Sequence, residues 1–328
     1  LSGNMISSRV YTTLIKETHA ILPALHKYFA LRARRLGLKK LSMYDLRVNI
    51  VKAEPLRFSY DEAVQLCLDA LAPLGEEYVR VLAAGLRGGW VDRYENKGKR
   101  GGAFSGGCFD TDPYILINFT GTLNDVYTLI HEAGHSMHSW YARTHQPYSL
   151  ADYSLFTAEI ASTVNERLLT AHLLKKFRGP QQKIVLAYEI DAIRATFFRQ
   201  AMFAEFELNI HRMVEQGKPL TTEYFNSEYA RLNALYHGSH VAQDDLIRYE
   251  WARIPHFYYN FYVYQYATGI AAAFYFAGRI LAKRGRQESK LYLEFLKKGG
   301  DGFPLDQLRS VGLNFNGPEI YRAVAKNL

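Results

Sequence analysis

Apolar side chains recur at helical spacing along most of this chain, with polar residues at the positions between them. Two helical patterns separated by Pro23 fill roughly the first forty residues, and Ser59 with Glu62 forms a capping box that predicts a helix running towards Leu86. Further helices are predicted over Leu150 to Lys176, Gln181 to Gln216, Thr222 to Tyr236 and His256 to Arg284, with shorter ones towards the end. The pattern therefore predicts a mainly α fold.

The helical pattern is interrupted between Gly85 and Gly107, where glycines cluster. The run from Pro113 to Phe119 is short, apolar and rich in β-forming residues, which predicts a strand and hence a small β-sheet. Thr122 and Asp125 then offer a capping start for a helix. One face of that helix carries the apolar positions Val126, Leu129, Ile130, Ala133 and Met137.

The composition, with 48% hydrophobic and 22% charged residues, is that of an ordinary globular protein. Its 328 residues can bury one large core or two modest ones. The formal net charge of +8 comes from scattered basic stretches without a nucleic-acid motif, which favours a solvated basic surface over a nucleic-acid site. The longest apolar stretch, Ala267 to Ala282, is shorter than the roughly 20 residues of a membrane span and predicts a buried helix.

The two cysteines, Cys67 and Cys108, form neither a CxxC metal spacing nor a disulfide framework. This pattern favours a reducing, cytoplasmic compartment. The first residues, Leu1-Ser2-Gly3-Asn4, show neither an initiator Met nor a signal-peptide pattern, and from this we expect the chain to be a fragment.

The helix predicted after the strand contains the sequence His131-Glu132-Ala133-Gly134-His135, an HExxH motif. Spacing of i and i+4 places both imidazoles on one helix face, close enough to bind one metal ion. Glu132, next to the first histidine, can reach a metal-bound water as a general base. Two histidines that only make hydrogen bonds in a helical core are the alternative, which the intervening glutamate disfavours.

Catalytic zinc usually takes three protein ligands, so a third must come from another element. Glu159 lies in an apolar and small-residue stretch of the next predicted helix, where a carboxylate needs a partner. Glu166 and Asp152 are its competitors, and an exposed helix charge is the other interpretation of Glu159. On the same helix, Ser162, Thr163 and Glu166 are candidates for orienting the histidines, and His138 is interpreted as a packing or supporting residue.

The stretches HEAGHSMHS from His131 to Ser139 and AEIAS from Ala158 to Ser162 resemble the thimet oligopeptidase family of zinc metallopeptidases, and within it the oligoendopeptidase F branch. Glu159 follows His135 by 24 positions, which is similar to the family's spacing. The resemblance extends to residues 98–104, 113–118, 255–257 and 261–269, so that the recognisable motifs span roughly Gly85 to Gly269.

The resemblance implies a mainly α, zincin-like catalytic domain with a small β-sheet beside the metal-binding helix and a deep substrate channel. It also implies one zinc ion held by His131, His135 and Glu159, and short unstructured peptides as substrates. From the charge distribution and the short apolar stretch we expect no nucleic-acid or membrane partner. We expect residues 1–85 to form a helical part of the channel wall and residues 86–328 to form the catalytic domain. Members normally carry a further N-terminal helical region as the opposite wall. The sequence does not define an oligomeric state.

In the implied mechanism Glu132 accepts the proton of the attacking water and later protonates the leaving amine. The family pattern favours His256 and Tyr264 as donors to the carbonyl oxygen as it gains charge. The competing interpretation is an aromatic packing stripe, because Tyr258, Tyr262 and Tyr266 recur at every fourth residue.

Two further segments are candidates for substrate contact. The stretch from Gly101 to Gly107 is either an edge strand that pairs with a peptide or a flexible hinge. His237 and His240 lack a carboxylate at a ligand-like interval, which favours a substrate-side loop or surface histidines over a second metal site. A metal hydrolase that does not act on peptides and a metal-free helical interaction protein remain the alternatives.

Overall fold

A computed structural model describes residues 5–328, and the start of the chain on which the expectation of a fragment rests lies outside that range. Within it the helices are α1 (Ser8–Leu36), α2 (Tyr60–Leu71), α3 (Glu76–Arg87), α4 (Leu123–His145), α5 (Leu155–Lys176), α6 (Gly179–Ile193), α7 (Arg199–Glu215), α8 (Thr222–His237), α9 (Tyr264–Ile280), α10 (Gly285–Leu296), α11 (Pro304–Ser310) and α12 (Glu319–Ala325). The strands are β1 (Val91–Asp92), β2 (Phe104–Gly106) and β3 (Tyr114–Leu116). The predicted mainly α fold with a small sheet is confirmed.

Helix α1 is continuous, so the prediction of two helices separated by Pro23 is wrong. A proline inside a helix removes one backbone hydrogen bond and crowds the preceding turn, but it does not end a helix that tertiary packing holds on both sides. Leu22 and Leu25, on either side of the proline, are both buried. The helix packs against α7, α8 and α12 along its length, and it ends at Gly37 in the left-handed conformation.

The capping box predicted at Ser59 is present, because its hydroxyl accepts from the Glu62 N–H and Glu62 bonds back to the Ser59 N–H. The predicted helix towards Leu86 is however divided in two. A short 3-10 turn at residues 72–74, which contains Pro73, and Gly75 at a φ of 105° separate α2 from α3.

The sheet has the order β1-β3-β2, with β1 parallel and β2 antiparallel to the central strand β3. The predicted strand from Pro113 to Phe119 is thus confirmed as the shorter β3. Ile115 on β3 pairs with Val91 on one side and with Ser105 on the other. Strand β2 consequently forms one edge of the sheet, and it packs against α4.

Helix α5 lies at the centre of the molecule and packs along both α4 and α9. The predicted cap of α4 is present, since Thr122 and Asp125 exchange the two hydrogen bonds of a capping box. Ile160, Ala161, Val164 and Leu168 of α5 are fully buried between the two neighbours. The candidate metal ligands on α4 and α5 are therefore held in place by the hydrophobic core.

The predicted helix from Gln181 to Gln216 is present except for one π-helical turn at residues 194–198 between α6 and α7. The predicted helix from His256 to Arg284 is wrong in its first part, because α9 begins only at Tyr264. Residues 254–263, called here the aromatic segment, contain one 3-10 turn and a left-handed residue, Phe261. No helix among the described residues is long and apolar enough to cross a membrane. The predicted boundary at residue 85 stays a prediction.

Candidate active site

Helix α4 presents His131 and His135 on one face, with ring centroids 4.9 Å apart and ring planes at 79°. The apolar positions predicted for the opposite face, such as Val126, Leu129 and Met137, are fully buried in the core. Both imidazoles keep a partly exposed edge, with side-chain exposures of 26% and 19%. Burying one face of the helix thus leaves the two histidines partly accessible to solvent.

Gly134, between the two histidines, lies where α4 and α5 approach each other closely. A Cβ added there would lie 2.5 Å from the Cα of Ser162 and 2.7 Å from the carbonyl oxygen of Ala161. The absence of a side chain therefore permits the crossing that brings Glu159, one turn before Ser162, to the histidines. This function of Gly134 was not predicted, although the position of Gly134 within the HExxH motif could have suggested it.

The side chains of His131, His135 and Glu159 form a group that could hold a metal ion. The Glu159 Oε2 lies 3.4 Å from the Nε2 of His131 and 3.6 Å from the Nε2 of His135. In a tetrahedral zinc site with bonds of about 2.0 to 2.1 Å, neighbouring donor atoms lie about 3.3 Å apart. The two distances from Glu159 are close to this spacing, and all three donor atoms lie within 4.8 Å of one another. Two imidazoles and one carboxylate also suit the ion chemically and leave a fourth position for water.

Glu166, two turns after Glu159, binds the other nitrogen of the first histidine. Its Oε1 lies 2.5 Å from the Nδ1 of His131. Burial lowers the pKa of His131, but the hydrogen bond and the charge of Glu166 outweigh burial and raise that pKa to about 9. Burial and the neighbouring His131 charge lower the pKa of His135 to about 4. The charge of Glu166 thus favours a proton on His131, whereas burial favours the neutral form of His135.

A buried ion-pair network supports Glu166 from behind. Arg167, with only 2% of its side chain exposed, donates to the Oε2 of Glu166 at 2.9 Å and pairs with Glu189 of α6. Glu189 also accepts from the Thr170 hydroxyl at 3.0 Å. Burial raises the pKa of Glu166, but the His131 hydrogen bond and the His131 and Arg167 charges lower it below its usual range. Glu166 is therefore held as a carboxylate facing His131.

The other residues considered for this site lie elsewhere or do something different. Ser162 donates to the Oε2 of Glu159 at 3.1 Å, and Thr163 donates to the Glu159 carbonyl oxygen. Both hydroxyls thus bind Glu159, on their own helix, and not the histidines. Asp152 precedes α5 and is exposed, outside the three-residue group. His138 is buried and stacks on Tyr153 at 3.7 Å, a packing position.

Glu132 lies beside the group, only 7% exposed. Burial raises the pKa of its carboxyl group, the His131 charge lowers it, the Glu159 charge raises it, and a hydrogen bond from the Ser105 N–H lowers it, with a net increase. A raised pKa favours the uptake of a proton by a carboxylate. Ser105 belongs to β2, and its hydroxyl is 2.8 Å from that of Ser136 on α4. The edge strand is therefore fastened next to Glu132.

His256, Tyr262 and Tyr266 form an aromatic cluster at the start of α9. The His256 ring stacks on Tyr262 at 5.8 Å and 10°, and the Tyr266 hydroxyl donates to that of Tyr262 at 3.1 Å. Burial, the contact with Tyr262 and the Glu159 charge all raise the pKa of Tyr266. Tyr266 is thus one of two tyrosines, with Tyr153, on which the charge of Glu159 acts.

The structure does not bring Tyr264 to this cluster. Its side chain is 1% exposed and packs against Tyr11 at 5.1 Å and Phe156 at 6.0 Å, in the core. Residues two positions apart on a helix point about 200° apart, so the turn of α9 that directs Tyr266 towards Glu159 directs Tyr264 away from it. Of the packing stripe considered at every fourth residue, Tyr262 and Tyr266 pack on each other at 5.4 Å, whereas Tyr258 is 86% exposed.

His237, one of the two histidines considered for a substrate-side loop, packs instead on α1. Its ring stacks on Phe29 at 5.5 Å, and its Nδ1 lies 2.9 Å from the Asn233 carbonyl oxygen. Burial, together with the Arg194 and Arg199 charges, lowers the pKa of His237 to about 4. A neutral, packed imidazole is consistent with a structural function for this residue.

Comparison with known proteins shows the family to which this chain belongs. Residues 1–323 match the family model of Peptidase family M3, and the chain belongs to this family. It is 46% identical to Oligopeptidase PepF of Bacillus subtilis, over 99% of this chain and 49% of that protein. It is also 46% identical to Group B oligopeptidase PepB of Streptococcus agalactiae, over 98% of this chain and 54% of that one.

A solved structure, oligoendopeptidase-F from Enterococcus faecium, superposes with a TM-score of 0.77 at 35% identity and covers 99% of this chain and 51% of that one. The predicted resemblance and the zincin-like fold class are therefore confirmed. The chain spans about half the length of the relatives that it matches.

Proposed function

We propose that this chain carries the catalytic centre of a zinc-dependent endopeptidase that hydrolyses short, unstructured peptides. The observation that carries the proposal is the spacing of the three donor side chains. The Oε2 of Glu159 lies 3.4 Å from the Nε2 of His131 and 3.6 Å from the Nε2 of His135. The match to Peptidase family M3 supports a metal cofactor. A zinc ion bound there would supply a Lewis acid that polarises the peptide carbonyl and acidifies its attacking water.

Glu132 moves the protons of the reaction. Its carboxylate accepts a proton from the attacking water, and the same oxygen returns that proton to the leaving amine. Its raised pKa suits both steps, because a carboxylate with higher proton affinity removes a proton more readily and is then available as the acid. Glu166 keeps the Nδ1–H of His131 engaged, so that the Nε2 lone pair faces the metal position.

Tyr266 donates to the carbonyl oxygen as it gains negative charge, together with Tyr262 and His256, and its hydroxyl hydrogen turns from Tyr262 to the substrate to do so. This role passes from Tyr264, expected on the family pattern, to Tyr266, because Tyr264 is buried against Tyr11 and Phe156. His256 keeps its expected place in the site through its stack on Tyr262. The three proposed donors are grouped by their mutual ring contacts, and the Glu159 charge acts on Tyr266 among them.

The peptide pairs with β2, whose outer edge lies beside Glu132. An extended substrate that adds to a sheet edge is held by main-chain hydrogen bonds, which tolerate many side chains. Gly106 ends this strand and Gly101, Gly102 and Gly107 flank it, and these glycines permit close approach of a second backbone. The reducing, cytoplasmic compartment inferred from the cysteines remains part of the proposal, and Cys67 and Cys108 are both free thiols.

A metal analysis combined with one peptide assay tests the proposal. The protein purified without chelators should contain about one zinc per chain and should cleave a quenched fluorescent peptide. A strong chelator should remove both metal and activity, and added zinc should restore them. Zinc at one per chain without cleavage of any peptide in a panel would favour a metal hydrolase of another class. No transition metal at all would contradict the proposal and favour a metal-free interaction protein.

A further inference from the structure

We propose that Glu207, in the middle of α7, is a positioning residue that holds the aromatic segment and thereby His256 and Tyr262 in place. The inference rests on the proposed function, because these are the side chains assigned to the developing oxyanion. Phe261, within the aromatic segment, has a backbone φ of 54°. A residue with a bulky side chain adopts this left-handed conformation only where its surroundings enforce it.

The carboxylate of Glu207 provides the polar part of that enforcement. Its Oε1 accepts a hydrogen bond from the backbone N–H of Phe261 at 2.6 Å. The group is 1% exposed, so this N–H has a buried partner that water cannot easily replace. Glu207 is the residue of α7 that contacts the backbone of the aromatic segment where the chain turns from the 3-10 turn towards α9.

Aromatic packing provides the rest of the enforcement. The Phe261 ring contacts His211 at 4.6 Å and Tyr11 at 5.5 Å. The Tyr11 hydroxyl donates to the Ala204 carbonyl at 2.6 Å and approaches the Oε2 of Glu207 at 3.3 Å. Phe261 is therefore clamped by α1 and α7 together, and Tyr262, the next residue, leaves this clamp towards His256 and Tyr266.

The protonation state of Glu207 should change the strength of this anchor. Burial raises the pKa of Glu207 to about 7, although the Phe261 N–H, the His211 charge and the Tyr11 hydroxyl all act to lower it. The titratable groups that face it are Tyr11 from α1, His211 from α7 and Tyr264 from α9. Above pH 7 the ionised carboxylate accepts a charge-assisted hydrogen bond from Phe261, and below pH 7 the neutral acid accepts a weaker one.

The same pKa has an opposite consequence for global stability. A carboxyl group with a pKa near 4.3 in the unfolded chain and about 7 in the folded one stabilises the fold at low pH, and that contribution is lost as the pH rises from about 4 to 7. The anchor is therefore strongest in the pH range where Glu207 least favours the fold. This separates a positioning effect from a purely structural one.

The experiment compares three substitutions in peptide hydrolysis. Glu207→Leu removes the acceptor, and we expect kcat to fall roughly 10- to 100-fold with KM changed less than about threefold. Glu207→Gln keeps an oxygen acceptor without a charge, so kcat at pH 8 should stay within about threefold of the parent value, and any component of the pH profile near pH 7 due to this group should disappear. Rescue by glutamine would not follow from a lost packing contact alone.

Glu205→Leu is the matched control, because Glu205 lies on the same helix and is 8% exposed. Its carboxylate contacts His19 at 2.7 Å and the Tyr236 hydroxyl at 2.9 Å, away from the aromatic segment. This variant should lose thermal stability and keep the parent kcat. Equal losses of kcat and of stability in Glu205→Leu and Glu207→Leu would overturn the positioning role.

Two spectroscopic readouts need no substrate. In protein labelled with 15N-phenylalanine, the Phe261 amide resonance should move with pH near 7 in the parent and stay constant in Glu207→Gln. The His256 ring resonances, which sense the stacked Tyr262, should change in Glu207→Leu and stay at their parent position in Glu205→Leu. Both responses in a protein that cleaves no peptide would mean that the proposed function fails while the anchor stands. An unresponsive Phe261 amide in an active enzyme would overturn the inference alone, including when Glu207→Leu does not fold.

Discussion

His131, His135 and Glu159 project from the interiors of α4 and α5, whereas His256 and Tyr262 lie on the aromatic segment, where regular helix has not yet begun. On the first side, i and i+4 spacing and one close crossing at Gly134 are sufficient to bring three donors together. On the second side, the geometry depends on contacts from α1 and α7, distant in sequence. In the proposed site, local sequence therefore determines the metal-ligand group, whereas tertiary contacts determine the position of the aromatic segment.

The largest loss of activity is expected for a substitution of Glu132, on the helix that carries the two histidines. Glu132→Gln removes the proton acceptor while leaving His131, His135 and Glu159 intact, so peptide turnover should fall by about 10³-fold or more with zinc still bound. Quenched-peptide kinetics and elemental analysis on the same preparation measure both quantities. Near-normal turnover in this variant would mean that another group accepts the proton.

The second prediction addresses the aromatic side. Tyr266→Phe should lower kcat by a factor of about 10² to 10³ with little change in KM, because the lost donor acts on charge that develops only in the transition state. Tyr264→Phe is the matched control two residues earlier, and it should cleave at close to the parent rate. The reverse result, with Tyr264→Phe slow and Tyr266→Phe normal, would restore the assignment made from the family pattern.

The metal side can also be weakened without touching a ligand. Glu166→Gln replaces the carboxylate that accepts the Nδ1–H of His131, and zinc affinity measured by competition with a chromogenic chelator should fall about 10- to 100-fold. Asp152→Asn, an exposed acidic residue near the start of α5, should leave the affinity unchanged. Equal affinities for the parent and Glu166→Gln would remove the orienting role.

The smallest effect concerns the helix crossing under the metal group. Gly134→Ala places a methyl group 2.5 Å from the Ser162 Cα, and the free energy of unfolding should fall by about 1 to 3 kcal/mol as the two helices separate. Gly278→Ala on α9 has no atom within 4 Å of the added Cβ, so it should be neutral or slightly stabilising. Urea denaturation measures both. A neutral Gly134→Ala would show that α4 and α5 adjust freely.

The sequence predicted the parts of the molecule that short-range regularity controls. The capping boxes at Ser59 and Thr122, the strand at Pro113 to Phe119 and the helix that carries the HExxH motif all appear in the structure. Each depends on neighbours within a few residues, which is why periodicity and capping residues were sufficient.

The errors fall where distant contacts outweigh local preference. Pro23 was expected to end a helix, but packing of α1 on α7, α8 and α12 keeps the helix continuous. A helix was expected from His256, but Phe261 adopts a left-handed conformation that Glu207 stabilises from another helix. The burial of Tyr264 against Tyr11 and Phe156 was not expected for the same reason, since it depends on where α9 begins.

The edge position of β2 has a consequence for which molecules the proposed site would accept. Pairing with a strand edge reads the amide groups of a ligand, so a ligand must already be extended, or become extended, over several residues before Glu132 can act on it. Hairpins and helices keep those amides engaged internally, and a proline at a pairing position has no N–H to offer. The substrate would therefore be selected by the freedom of its backbone more than by its sequence, which would leave folded proteins in the same compartment intact.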